Sequence, residues 1–421
     1  MRAQRPRSSL PRFFDGSTGR LSGATSSWYA ARDDVRPSAI QEKRFVVVGN
    51  PENRRVSLFQ AALARAEIAP ARVVSWIDVL TGPDVLGRAV PEGGIVRFES
   101  PGEDFAVERE LLALGAGVED EGESPRISAE AARRLPEDRG LLLHPRQWYL
   151  GFREALKRCA RALDACPPHL RMNEPDDIAV MFDKRLCHAA CERGGVPVPR
   201  ALGVVRSYDE LRARMDERGI HRVFVKLFCG SSASGVVALE TGAAGVKAET
   251  SVEVVRRDGV IRLYNALRVR RYREVADVRD VVDRLAAEGA HVEEWIPKAG
   301  VDGRAFDLRI VVIAGAARHV VVRTSKSPIT NLHLGNQRGD VAQVREQVGA
   351  DRWAAILRTA EQAALRFPRA LHAGVDVVIA SSLRRHAVLE INAFGDLLPG
   401  VLDRGLDTYA AETEACSELL A

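Results

Sequence analysis

Two apolar stretches near the C-terminal end each carry a carboxylate in their middle. G-V-D-V-V-I holds Asp376, and A-V-L-E-I-N holds Glu390, with Asn392 two positions further on. Strand alternation puts Glu390 and Asn392 on one face. If the polar turn S-S-L-R-R at 381–385 closes a hairpin, Asp376 falls roughly opposite Glu390. Two carboxylates so placed among apolar residues repel each other and lose hydration. A divalent cation relieves both costs. Mg²⁺ (or Mn²⁺) takes oxygen ligands, commonly one or two carboxylates together with nucleotide phosphates, and an Asn can add a carbonyl. Asp376, Glu390 and Asn392 are therefore candidate metal ligands. Neutralisation by Arg304, Arg309 or Arg323 is the alternative that the same pattern leaves open.

Size and composition narrow the class. A chain of 421 residues is too long for one ordinary core and should form two or three units. Apolar residues make up 46%, normal for a globular protein. No run of about 18 or more apolar residues occurs, so no membrane partner is expected. The formal charge of +4, from 61 basic and 57 acidic side chains, does not imply a nucleic-acid partner. The six cysteines include no C-x-x-C pair and read as reduced thiols of a cytoplasmic protein. Lysine is scarce, occurring only at 43, 157, 184, 226, 247, 298 and 326, so each one stands out against the arginines. Oligomeric state stays open.

Four segments follow from the pattern. Residues 1–42 lack apolar periodicity and read as a disordered tail. Residues 43–172 open with the buried strand R-F-V-V-V and the helix V-S-L-F-Q-A-A-L-A-R-A; strand–helix–strand order means a parallel α/β unit. Its Gly49-Asn50-Pro51 turn could hold a ligand at a strand's carboxyl end. Residues 120–140 read as a loop. Residues 173–296 begin with one helix over D-D-I-A-V-M-F-D-K-R-L-C-H-A-A-C-E-R, stopped by Gly194-Gly195, then strands R-V-F-V-K-L-F and G-V-V-A-L-E around a small-residue loop. Asp258-Gly259 reads as a hairpin turn. Residues 297–421 are mostly strands followed by helices.

Lys226 ends an apolar strand directly before the loop C-G-S-S-A-S-G. Gly and Ser let backbone N–H groups approach an anion, and an adjacent lysine adds a point charge for phosphate. The loop residues Ser231, Ser232 and Gly235 join it as candidates, with an ordinary hairpin loop as the alternative. H-V-E-E-W-I-P, followed by D-G-R-A-F-D-L-R with Asp302 among the candidates, could form an adenine slot from backbone groups, with a core strand bearing surface acids as the alternative. In V-R-T-S-K-S-P-I-T-N-L-H-L-G-N, Arg323 and Asn331 could contact phosphate or acceptor. Arg268, Arg270, Arg271 and Arg273 read as a solvated strand face.

Read in order, these pieces resemble the ATP-grasp superfamily over roughly residues 173–401, and are most similar to its RimK-like branch, which ligates amino acids to protein or peptide carboxylates. The resemblance implies an α/β chain with α+β lobes, an ATP-grasp fold with a preceding parallel, Rossmann-like α/β domain. It implies that Lys184, in Asp183-Lys184, touches nucleotide phosphate and that Lys226 faces the α- and β-phosphates. It puts Glu293, Glu294 and Ile296 at an adenine hinge, and gives Asp376, Glu390 and Asn392 two metal ions. Arg309, in F-D-L-R-I, would face the acceptor, and S-P-I-T-N-L-H-L-G-N resembles the branch's S-N-L-H-R-G-G loop. The family's N-x-S-P-G is here N-A-F-G-D-L-L-P-G, in a segment that lines the acceptor pocket in relatives. The implied activity is an ATP-dependent carboxylate–amine ligase working through an acylphosphate, with a carboxylate and an amine as substrates, a peptide among the candidates. Phosphoryl transfer to a hydroxyl, or nucleotide binding without turnover, are the rival readings.

Overall fold

The computed structural model describes residues 44–420 except 83, 121, 123, 231, 232 and 244. The expected tail 1–42 and the loop serines Ser231 and Ser232 lie outside the described residues.

The first sheet is parallel and ordered β2-β1-β3-β4, from β1 (Phe45–Val48), β2 (Arg72–Val74), β3 (Ile95–Phe98) and β4 (Leu170–Arg171). All four residues of β1 are buried, as an unbroken Val run in a covered parallel sheet requires. Asn53 caps the helix Arg54–Arg65 and Asp104 caps Phe105–Ala116, so both helices start at the carboxyl ends of β1 and β3. The stretch expected as a loop at 120–140 contains one short helix, Ala129–Arg133, started by a Ser128 cap.

The second sheet is antiparallel, ordered β8-β7-β6-β5-β9, from β5 (Arg222–Leu227), β6 (Val236–Gly242), β7 (Gly245–Arg257), β8 (Val260–Tyr272) and β9 (Ala290–Glu294). Asp258 and Gly259 both take positive φ (52° and 74°), the two-residue turn that matches strand twist. Two helices, Tyr208–Glu217 and Val275–Ala287, cover one face and share a core with the sheet through Leu211, Val281, Val225 and Leu239.

The third sheet runs β13-β12-β11-β14-β15 with β10 beside β11, and all its pairs are antiparallel. Its strands are β10 (Gly300–Val301), β11 (Arg304–Ile313), β12 (Ala316–Ser325), β13 (Gln337–Gly339), β14 (His372–Ile379) and β15 (His386–Asn392). Asp376 pairs directly with Glu390, beside a bulge at Asp376/Val377.

The helix expected to run unbroken from 176 to 193 is two helices, Pro175–Phe182 and Lys184–Arg193. Asp183 breaks it. Its backbone is extended (φ −89°, ψ 104°) and its carboxylate caps the N–H groups of Arg185 and Leu186. A side chain able to satisfy orphan donors competes with the helix ladder. The Lys184 N–H, released by the break, donates to the Phe228 carbonyl at 2.8 Å.

The first and third sheets share a continuous core. The C-terminal helix Thr408–Leu420 crosses back, and its Tyr409 and Cys416 pack with Phe45 and Phe59 of the first unit and Val311 and Ile313 of β11. Inside this seam Arg97 is fully buried. Its guanidinium donates to Glu99 (2.7 Å), Glu412 (2.5 Å) and Asp396, and lies over the Phe59 ring at 4.6 Å. Asp396 also takes Arg55 at 2.7 Å. The His372 ring sits 3.7 Å from Asp396 and 3.8 Å from Glu412. Burial holds that imidazole neutral, down at about 3. Three carboxylates therefore face two guanidiniums. Burial pushes Glu412 well above the ordinary carboxylate range against the pull of Arg97.

Arg97→Met should cost about 3–5 kcal/mol, because it leaves Glu99 and Asp396 buried without their shared cation. Urea denaturation followed by circular dichroism measures this; a loss below about 1 kcal/mol would show that the cluster does not hold the seam.

Candidate active site

The second and third sheets face each other across a cleft of two connected chambers. The inner chamber, about 90 Å³, lies between β5, β6 and β9 on one side and β11, β12, β14 and β15 on the other. The outer chamber, about 510 Å³, opens toward the first sheet. Lys184, Gly230, Asn331, Leu389 and Glu390 line both.

Charges alternate around the inner chamber. Lys184, aimed by the helix break at Asp183, donates to the Gly230 carbonyl at 2.6 Å and sits 3.2 Å from Glu390. Lys226 on β5 reaches Glu293 on β9 at 2.5 Å, and His291 holds the other Glu293 oxygen at 3.1 Å. Burial alone would raise Glu293, but Lys226 and His291 outweigh it and hold the carboxyl at about 2. Arg323 bridges two acids, at 2.8 Å from Asp307 and 3.1 Å from Asp376. Lys298 takes the second Asp307 oxygen at 2.8 Å and donates to Thr330 at 2.6 Å. With Arg323 and Lys298 both upon it, Asp307 is held well below the carboxylate range although it is fully buried. Glu390 is likewise held low by Lys184 and Lys226 against its burial.

Asp376 behaves differently. Arg309 grips both its oxygens, with Nη2 at 3.0 Å, and Arg323 adds a third bond, yet burial still raises its pKa. Arg309 thus pairs with Asp376 rather than with Asp307 or Glu390. Its Nη1 also donates to the Gly395 carbonyl at 3.3 Å, and it lines the outer chamber. Asn392 donates its amide N–H to the Gly374 carbonyl at 3.2 Å, which leaves the amide oxygen for another partner. Asn331 caps the short turn Leu332–Leu334 through His333 N–H at 2.8 Å.

The structure brings Lys184, Lys226, Glu293, Arg323, Asn331, Asp376 and Glu390 to the inner chamber and Arg309 and Asn392 to the outer one. Glu294, Ile296 and Asp302 line neither. Glu294 points to Arg200 at 3.4 Å, because it lies one residue off the inward face of β9 set by Glu293. Asp302 takes φ 51° at the tight turn between β10 and β11 and accepts from Gln343 at 3.3 Å. Gly235 lines neither chamber and is the last turn residue before β6; its carbonyl accepts from Leu227 N–H at 3.0 Å, and at φ 63° an added Cβ would lie 2.5 Å from the Leu227 side chain. The apolar side of the inner chamber is a cluster of Phe224, Val236 and Ile329 with Ala233 and Trp295 against it. Sequence reasoning missed Lys298, whose scarcity as a lysine was the one available signal, and Asp307, taken only as part of a strand motif. Arg270 and Arg271 on edge strand β8 pair with Glu253 and Glu249.

No family model and no curated protein matches this sequence. Solved structures do match. D-cycloserine synthetase DcsG superposes with a TM-score of 0.51 over 90% of this chain and 100% of its own, at 17% identity. The ADP complex of purK, N5-carboxyaminoimidazole ribonucleotide synthetase, gives a TM-score of 0.51 over 90% of this chain and 77% of its own, at 12% identity. The ATP-grasp ligase PsnB with its minimal precursor gives 0.48 over 89% and 98%, at 16% identity. The likeness is one of architecture, and it is specific: the chain has the ATP-grasp fold.

Lys226→Met should give a stability defect with a characteristic pH dependence. In the wild type Glu293 lies below its ordinary 4.5, so its contribution is full above pH 4.5 and fades as pH falls toward about 2. Without the ammonium, burial pushes Glu293 upward, and the folded state binds its proton more tightly than the unfolded chain does. The Tm deficit relative to wild type should be largest at pH 7–8 and shrink toward pH 5. A deficit independent of pH, measured by calorimetry, would refute the pairing as its cause.

Proposed function

We propose that the chain is an ATP-dependent carboxylate–amine ligase of the RimK-like kind. The observation that carries this reading is the pairing of Asp376 with Glu390 at the base of a chamber ringed by Lys184, Lys226, Lys298 and Arg323. A hard-oxygen donor set surrounded by cations suits a metal–polyphosphate pair. The residues fit Mg²⁺: the buried Asp376, the partly exposed Glu390 and the amide oxygen of Asn392, which makes no hydrogen bond among the described residues. Bound by Asp376, Glu390 and Asn392, one or two Mg²⁺ ions would neutralise charge on the phosphates.

Lys184 and Lys226 would hold phosphate oxygens, and the Phe224–Val236–Ile329 face would take the adenine. Arg323 is poised for the transferring phosphoryl group. Asn331, which lines both chambers, and Arg309, which lines the outer one, would take the acceptor carboxylate. In the reaction, a carboxylate oxygen attacks the γ-phosphorus and ADP leaves. The amine nitrogen then attacks the carbonyl carbon of the acylphosphate, sheds a proton, and phosphate leaves. Such chemistry asks the protein for alignment and charge stabilisation more than for a covalent nucleophile. No residue of the inner chamber is needed as one.

Screening amino acids and peptides for ADP release, with mass analysis of products, tests the reading: an amide product supports it, and a stable phosphorylated product would replace it with phosphoryl transfer. Glu390→Gln should abolish ATP turnover with the melting curve intact. Turnover at the wild-type rate under saturating Mg²⁺ would place the metal elsewhere.

A further inference from the structure

The buried cluster around Arg97 gathers polar atoms that nothing in the chain answers. Among the described residues, twelve buried side-chain nitrogen and oxygen atoms have no hydrogen-bond partner. Five of them are here: Glu99 Oε2, His372 Nδ1, His372 Nε2, the Tyr409 hydroxyl and Glu412 Oε1. A polar atom dehydrated in this way is costly, and five in one place point to a shared partner. The groups involved include metal ligands. One nitrogen of His372 on β14, one oxygen of Asp396 in the loop after β15 and one oxygen of Glu412 in the C-terminal helix lie within 4.8 Å of one another. His372 Nε2 is 3.7 Å from Asp396, and His372 Nδ1 is 3.8 Å from Glu412. Two ligands each about 2.1 Å from a tetrahedral ion stand roughly 3.4 Å apart, so shifts on the order of 1 Å bring these side chains onto one ion.

The protonation states suit an ion as well. Burial keeps the His372 imidazole neutral, so a ring lone pair is available without removing a proton. Arg97 holds Asp396 ionised against its burial. Glu412 gives one oxygen to Arg97 and turns the other toward His372. With His372 neutral, Glu99, Asp396 and Glu412 outnumber Arg97 and Arg55 by one negative charge, and the same burial that draws a proton to Glu412 draws any other cation. The donor set then selects the ion. Mg²⁺ takes oxygen ligands, as Asp376, Glu390 and Asn392 would supply in the cleft, whereas one imidazole nitrogen with two carboxylate oxygens suits Zn²⁺ or Mn²⁺.

We propose that His372, Asp396 and Glu412 form a structural site for one divalent transition-metal ion of the Zn²⁺ or Mn²⁺ class, which fastens the C-terminal helix to β14 and to the loop after β15. The site is separate from the cleft and does not rest on the ligase reading. All three side chains are almost wholly shielded from solvent, so the ion is taken up as the chain folds and leaves only when it unfolds.

The test is elemental analysis of the full chain, expressed in medium supplemented with Zn²⁺ and Mn²⁺ and dialysed against EDTA while folded. About one ion per chain should survive the dialysis and pass to the chelator only when urea unfolds the protein. His372→Gln and, separately, Glu412→Gln should lower the retained ion on the order of tenfold or more. Glu390→Gln, in the cleft, should retain it. The wild-type chain decides the matter even where a variant does not fold: retention of less than about a tenth of an ion per folded chain overturns the proposal. An ion that persists in both His372→Gln and Glu412→Gln, or that is lost with Glu390→Gln, overturns it too, because that ion is bound elsewhere.

Discussion

Arg97 joins parts of the chain that are otherwise far apart in sequence. Its three carboxylate partners come from the end of β3, from the loop after β15 and from the C-terminal helix. Through Asp396 it also reaches Arg55, at the start of the first helix. A buried ion cluster of this sort is weak as a source of net stability, since dehydrating the charges offsets much of their attraction. Its effect is to hold these three segments to one buried cation. The walls of the outer chamber are built from two of the segments so joined, which fixes the distance between them.

The inner chamber follows the same rule on a smaller scale. Lys184, Lys226, Lys298, Arg309 and Arg323 each face a carboxylate, and each of those carboxylates comes from a neighbouring strand of the two sheets. A polyphosphate and its metal would exchange partners with these groups instead of meeting a field of like charge. Asp376 stands apart because two guanidiniums upon it still do not offset its burial.

The Gly374–Gly395 contact couples these two regions. It seats the loop that bears Phe394 and Asp396 on the strand that bears Asp376, and Arg309 closes it by binding both Asp376 and the Gly395 carbonyl. Asp376, Arg309 and, through Asp396, the buried ion cluster are thus tied together by one loop–strand contact.

Much of this was legible from local pattern. Unbroken Val runs fixed the buried strands, Asp258-Gly259 fixed a hairpin, and the facing of Asp376 and Glu390 followed from two strands and a short turn. Those are period-2 and turn-chemistry signals, carried by neighbours in sequence. Neutralisation of Asp376 by Arg309 and Arg323 was one of the alternatives the pattern left open, but other partners drawn from distant segments were not legible: that Lys298 would hold Asp307, or that Arg97 would gather Glu99, Asp396 and Glu412. The break at Asp183 was also hidden, because helical periodicity continues across it while the extended backbone depends on the cap and on a carbonyl, Phe228, from the next unit. The sequence by itself determined which strands are buried and which side chains they turn inward, since alternation is a property of the chain alone. Only the tertiary structure decided which charges meet, because a buried ion pair forms between whichever groups packing brings within about 3 Å, and packing is a property of the whole chain.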